Sequence, residues 1–406
     1  MRVSGGYGAV NPHDGAGEPE HDHAATAATT GAPAASAHAA ATARAATVAS
    51  TGPSALHALP APGKPGPVLG ATSFHVGAAG VQSLAFDASS PGNSFGAKDR
   101  EATAVSVYVN GRYHSTETIL SERANPATGF GAYKVNLGTL PPGDYKVEIR
   151  SANDLAGKHS HPAAIRAGSI QPAAVSGLDA EIDRYAPLLV TRAAHDGGLL
   201  GLAESLHLHA EPRPTVARTD VPLRMRAEVL GDPAGYHTLA YHVTFSDEDG
   251  GTPDAERLRT YGRTTDDEWV YKVLVDGSGK RVSAADLDRL RPTLGPAALP
   301  APEMFQYGND GPVVERHVPK AFDGMHAGDR PVLRVNSMNN NFAVVKPGDK
   351  VSTAVWSPAV DFDASRRRLD GAGHLAGLGA QSSLDVIARF PWVGQVSSEE
   401  IQREGH

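Results

Sequence analysis

Between residues 69 and 174 apolar side chains recur at every second position, the period of a strand with one face buried. Residues 102–118 alternate about Asn110-Gly111, with Val105, Val107 and Val109 on one face. Asn-Gly tolerates positive φ at both central positions, so the spacing predicts a two-residue hairpin. Tyr133, Val135 and Leu137 alternate next, Pro141-Pro142-Gly143 turns the chain, and Tyr145, Val147 and Ile149 alternate again. That spacing predicts a second strand pair. Further on, the strand signals are Tyr241, Val243 and Phe245, then 270–275 with a return at Asp276-Gly277-Ser278-Gly279, then 332–335. Two short helices punctuate them. One is announced by Thr252-Pro253-Asp254 and closed by Gly262; the other starts at Ser283, passes Leu287 and Leu290, and is expected to stop before Pro292. Residues 292–302 are expected to form a Pro-rich loop.

Residues 1–68 break this picture. They are rich in Ala, Pro and Gly, have almost no large apolar side chains, and end in Pro60, Pro62, Pro65 and Pro67, so too little surface can be buried to offset the ordering entropy. The organisation expected is a disordered leader (1–68), an immunoglobulin-like β-sandwich (69–174), a larger β-rich domain with short helices (175–395) and a flexible tail (396–406). The fold class is therefore mainly β. Among 406 residues there is no cysteine, which excludes disulfides, thiolate nucleophiles and Cys-ligated metals. A net charge of -8 without a Lys/Arg run longer than Arg366-Arg367-Arg368 argues against nucleic acid and polybasic membrane contact. No apolar run near 20 residues predicts a transmembrane segment, and the first residues lack the pattern of a Sec signal. The leader would then suit export by a non-Sec route, with a cytoplasmic location left open.

Four groups could carry chemistry. Asp247 and Asp249, in the run Ser246-Asp-Glu-Asp-Gly-Gly-Thr252, could offer oxygens to calcium or another divalent metal, and they would equally suit the start of a helix. An EF-hand is excluded, since the twelfth position from Asp247 is Leu258. Asp266 and Glu268 would share one face of a strand, while three consecutive carboxylates belong in solvent unless donors oppose them. His207 and His209 alternate with leucines and could present two imidazoles to one metal ion, or simply line a solvated strand face. Asn339, Asn340 and Asn341 form a turn signal that could also hold a sugar or a cation. A loop with Asp323, His326 and Asp329 precedes the strand at 332–335. No Walker loop or complete dinucleotide fingerprint is present, so no nucleotide cofactor is expected.

Residues 133–150, YKVNLGTLPPGDYKVEIR, resemble the late strands of immunoglobulin-like and fibronectin-like sandwiches. The blocks YHVTFSDEDGGT (241–252), YGRTTDDEWVYKV (261–273) and RPVLRVNSMNNNF (330–342) resemble uncharacterised bacterial proteins, and more distantly a vacuolar-sorting-associated family of fungi and plants. The resemblance implies that the second domain is one unit and implies no reaction. The reading favoured by the sequence is a ligand-binding protein, exported or on a surface, taking a glycan-like ligand with the help of a cation. The alternatives are a metal-dependent hydrolase using the acidic blocks and a structural interaction module.

Overall fold

The computed structural model describes residues 63–94, 100, 102–156, 159–190, 222–231, 235–245, 266–294, 299–307, 318–335, 342–349 and 354–362. All of them belong to the compact unit that runs from Ala49 onward. The architecture is mainly β.

The first body is a sandwich. Its strands are β1 (Val68–Val76), β2 (Gly80–Ser89), β3 (Thr103–Val109), β4 (Arg112–Ile119), β5 (Gly131–Leu140), β6 (Gly143–Ser151), β7 (Ala164–Ile165) and β8 (Gln171–Ala174). One sheet has the order β1-β6-β3-β4; the other pairs β2 with β5, β7 and β8. Val105, Val107, Val135, Leu137, Val147 and Ile149 meet between them, the faces that the alternation predicts. The β3–β4 turn has Asn110 at φ 49° and Gly111 at φ 75°, the conformation for which Asn-Gly is suited.

Two features differ from the sequence reading. Consecutive strands β5 and β6 do not pair, because Pro141-Pro142-Gly143 carries the chain from one sheet to the other. Tyr145 Oη donates to the Pro141 carbonyl at 2.9 Å across this corner, a bond that fixes a crossover between sheets. In addition, all seven residues of β3 are buried, so its outward face is covered as well. At the end of the leader, Arg150 Nη1 donates to the carbonyl of Gly66 at 3.2 Å, and the Ser151 amide to that of Pro67 at 2.9 Å.

The second body is one large sheet. Helix α1 (Gly177–Tyr185) leads into β9 (Leu188–Val190); then come β10 (Pro222–Gly231), β11 (His237–Phe245), β12 (Asp266–Val275), helix α2 (Ala284–Leu294), β13 (Glu303–Tyr307), β14 (Val318–Ala321), β15 (His326–Ala327), β16 (Arg330–Val335), β17 (Phe342–Val344), β18 (Val355–Trp356) and β19 (Asp361–Phe362). The sheet runs β18-β9-β16-β17-β13-β12-β11-β10-β19, with β14 beside β13 and β15 beside β16. Tyr241, Val243, Tyr271, Val273, Phe305 and Leu333 make its apolar face, and Ile182 and Tyr185 of α1 pack there.

The expected helix at 252–262 lies outside the described residues. Helix α2 does begin after Ser283, whose Oγ accepts the Asp286 amide at 3.1 Å. It does not stop before Pro292 but continues to Leu294. Pro292 removes one late backbone bond. Leu287 and Leu294 are buried against Leu274, and Arg291 Nη2 donates to the Pro300 carbonyl at 2.6 Å, which together hold the last turn.

The two bodies are in direct contact. Tyr108 and Tyr113 on the outward face of β3–β4 pack against Leu188, Val332 and Val355. The segment 354–362 stitches the bodies together: β18 pairs with β9, the Asn136 amide donates to the Ser357 carbonyl, the Ala359 amide donates to the Lys134 carbonyl, and β19 pairs with β10.

Candidate functional site

Of the residues singled out in the sequence, the structure describes few. Asp247, Asp249, His207, His209, Asn339, Asn340 and Asn341 lie outside the described residues. Asp266 opens β12, and its side chain is not described. Glu268 is buried rather than solvated, and Gln306 Nε2 donates to it. Of the two outcomes open to this acidic run, opposition by a donor is the one realised at Glu268. Its register is set beside a bulge: Tyr241 faces Tyr271 but His242 faces Trp269, which leaves Val270 extra.

A second polar row lies on β10 to β12. Arg226 stands opposite His242, which in turn faces Trp269, and Glu228 stands opposite Ala240, which in turn faces Lys272. Arg226 Nη1 meets Glu228 Oε1 at 2.8 Å, with both side chains almost fully buried. Lys272 has its ammonium 4.8 Å from the Trp269 ring centroid; burial pulls its pKa down, and the Glu228 charge opposes that. Arg226 and Glu228 are tied into the interior, while Trp269 and Lys272 are half-buried.

The open, polar and partly aromatic site lies at the start of α2. A cleft of about 340 Å³ is lined by Arg281, Ser283, Ala284, Pro302, Glu303 and Phe322, among others. Its volume falls in the range of small-molecule pockets. Each functional side chain arrives on a different element. Tyr271 is on β12, Arg281 follows the 276–280 turn, Glu303 opens β13, and His326 opens β15.

Three donors converge on a single oxygen of Glu303. Arg281 Nη1 reaches Oε1 at 2.7 Å, His326 Nε2 reaches it at 2.7 Å, and the Tyr271 hydroxyl donates to it as well. Donation to Glu303 uses the Nε2–H form of His326, whose Nε2 also lies against Arg281 Nη1. Burial pushes the Glu303 pKa up, but the hydrogen bond from His326 and the charges of His326 and Arg281 outweigh it and hold the carboxyl below its usual range. Burial and the Glu303 charge raise the Tyr271 hydroxyl well above its ordinary value, so it remains a donor. Glu303 is thus an ionised carboxylate, clamped through one oxygen.

The frame around it is built locally. Asp276 Oδ1 accepts the Ser278 amide at 2.8 Å and the Lys280 amide at 3.0 Å, closing the turn that delivers Arg281. Tyr185, the last residue of α1, receives the Arg281 amide on its hydroxyl at 3.0 Å and donates to the Gly279 carbonyl at 2.9 Å. The half-buried Phe322 ring packs edge-on against Tyr271, Phe305 and His326, with centroids 5.8, 6.2 and 4.9 Å apart.

The sequence reading noted His326 only as a loop residue and did not single out Glu303, Arg281 or Tyr271. Glu303 lies just beyond the Pro-rich stretch, and no motif links residues that four separate elements deliver. Among the described residues no group of three His, Asp or Glu side chains is placed to hold a metal ion.

No protein-family model matches this chain, and no curated protein matches it. Among solved structures, a family 35 carbohydrate binding module from an environmental isolate aligns with 28% of this chain and 77% of its own length, at 14% identity and a TM-score of 0.17. A likeness of that size carries no argument about ligand.

Proposed function

We propose that this chain is a ligand-binding β protein whose cleft at the start of α2 takes a small polyhydroxylated ligand of the glycan type. The observation that carries this reading is the clamped Glu303 carboxylate beside the Phe322 ring. A sugar presents hydroxyl donors at its edge and an apolar C–H face, and an ionised acceptor next to an aromatic ring complements both. Arg281, which lines the same cleft, adds a fixed guanidinium at that point.

The same geometry favours recognition over hydrolysis. A carboxylate held below its usual pKa is a weak general acid at neutral pH. Glycoside hydrolysis ordinarily needs two carboxyl groups flanking one bond, and Glu303 is the one acid among the described lining residues.

Isothermal titration of the full chain against a panel of neutral and uronic oligosaccharides tests the reading. At least one should bind, and both Phe322→Ala and Glu303→Gln should weaken it by about tenfold or more, which corresponds to roughly 1.4 kcal/mol. Absence of binding across the panel, or binding that survives both substitutions, would overturn the proposal.

A further inference from the structure

Away from the cleft, where the sandwich meets the large sheet, lies a second carboxyl that the proposed function does not use. Glu117 on β4 is buried between the bodies, and its Oε2 accepts the indole N–H of Trp356 on β18 at 3.1 Å. The Ser357 backbone adds a weaker electrostatic pull on the carboxyl. Its other oxygen, Oε1, is buried without a hydrogen-bond partner.

Among the described residues no cation is in contact with it. Arg123, after β4, is directed elsewhere: its Nη2 donates to the Ala132 carbonyl at 3.1 Å and its guanidinium stacks 4.3 Å from the Tyr133 ring centroid. Arg330, on β16, is engaged by Ala186 O at 2.8 Å, Asn136 O at 3.2 Å and Ser357 Oγ at 2.7 Å. Both guanidinium charges act on Glu117 only from a distance. From β4 itself, Tyr113 faces it, with a hydroxyl that donates to Thr116 or accepts from it at 2.7 Å and receives the Val355 amide at 2.9 Å. Asp183 of α1 is coupled to the same Arg330 charge; its Oδ1 accepts the Val360 amide at 3.1 Å, and burial raises its pKa.

We infer that Glu117 is a proton-operated clasp between the sandwich and the large sheet, neutral while the two bodies are locked and releasing the β18 segment when it ionises. An ionised carboxylate at this place would be a charge in a dry interface with one oxygen unpaired, whereas the neutral acid forfeits only one hydroxyl bond. Burial pushes the carboxyl up to about 8, against the weaker pull of Arg123, Ser357, Trp356 and Arg330. In an unfolded chain the same group titrates near 4.3. The locked state therefore binds one more proton than the open state between these values, so its advantage is complete in acid and declines as pH rises toward 8. Opening would expose the segment that pairs with β9 and reaches over to β5, so interface closure weakens steadily from mild acid up to about pH 8.

The test compares the full chain with Glu117→Gln, a neutral side chain of the same shape. Between pH 5 and pH 8 the melting temperature of the wild type should fall relative to that of the variant, and the gap should stop changing above about pH 8.5. Parallel curves would overturn the inference. Should the variant fail to fold, the wild type still decides: the Trp356 indole N–H resonance should titrate with a midpoint near 8, and amide protection at Asn136 and Ala359, corrected for intrinsic exchange, should fall as pH rises from 5 to 8 and level off above it. An indole resonance and protection that stay constant from pH 6 to pH 9.5 would equally overturn it. None of these readouts depends on a ligand for the cleft.

Discussion

Glu117 and Glu303 are the same side chain in two buried settings, and they are displaced in opposite directions. Glu117 is pushed up to about 8, whereas Glu303 is held below the ordinary carboxylate range. Burial raises both. What separates them is the supply of donors: Glu117 has an indole, with its guanidinium neighbours at a distance, while Glu303 has an imidazole, a guanidinium and a phenol on one oxygen. The interface has therefore selected a neutral acid and the cleft an anion, and position relative to cations decides which.

The largest expected effect comes from removing the charge that the interface does tolerate. Arg330 is fully buried, its pKa lowered by burial to about 10, and it donates to acceptors contributed by both bodies. Arg330→Met should cost about 3–5 kcal/mol in urea unfolding, because it strands those acceptors and leaves Asp183 without its nearby cation. A cost under about 1 kcal/mol would show that a cation is dispensable there, and the contrast with the cleft would collapse.

A smaller effect sharpens the cleft side. Glu303→Gln keeps the shape but loses the ionic part of three bonds, for an expected loss of about 1–3 kcal/mol near neutral pH. Because the folded pKa of Glu303 lies below its unfolded value, its contribution is present above the ordinary carboxylate pKa and is lost as pH falls through the depressed one. Wild type and variant should thus converge in acid, as at Glu117, but with rising pH the wild type should become the more stable partner here and the less stable one at Glu117. Thermal unfolding from pH 7 down to pH 2 checks the sign.

The smallest expected effect belongs to Tyr145→Phe. It removes a single hydroxyl-to-carbonyl bond at the β5–β6 corner and should cost about 0.5–1.5 kcal/mol without pH dependence, giving an uncharged baseline for the other two.

The parts of the fold that could be read from the sequence are those whose cause is local. The Asn110-Gly111 hairpin, the strand ending at Val275, the turn after it and the Ser283 helix start each follow from a few neighbouring residues. Helix α1 was not anticipated, although Leu178, Ile182 and Tyr185 have the spacing of one helix face, and Ser176 precedes an early acid, Asp179. Its signal is nine residues long and ends against a strand, which conceals the period. The assignment of β5 and β6 to different sheets could not be read because a Pro-Pro-Gly turn suits a corner as well as a hairpin. The Glu303 cluster and the Glu117 clasp join residues far apart in the chain, Trp356 and Glu117 being 239 positions apart, and no local pattern encodes such a meeting.

The stitching segment also fixes an order of events during synthesis. Ser357 follows Asn136 by 221 positions, and its hydroxyl bonds to the Asn136 carbonyl at 2.6 Å. At roughly 5–20 residues per second, the strand that carries Asn136 leaves the ribosome about 10–45 s before its partner. The sandwich has its own core and can close within that interval, with its β5 rim exposed to other chains until the 350s emerge. The nascent protein therefore passes through a stage in which half of a finished interface waits in solution, and a cell that makes this protein quickly shortens the window in which that rim can be captured.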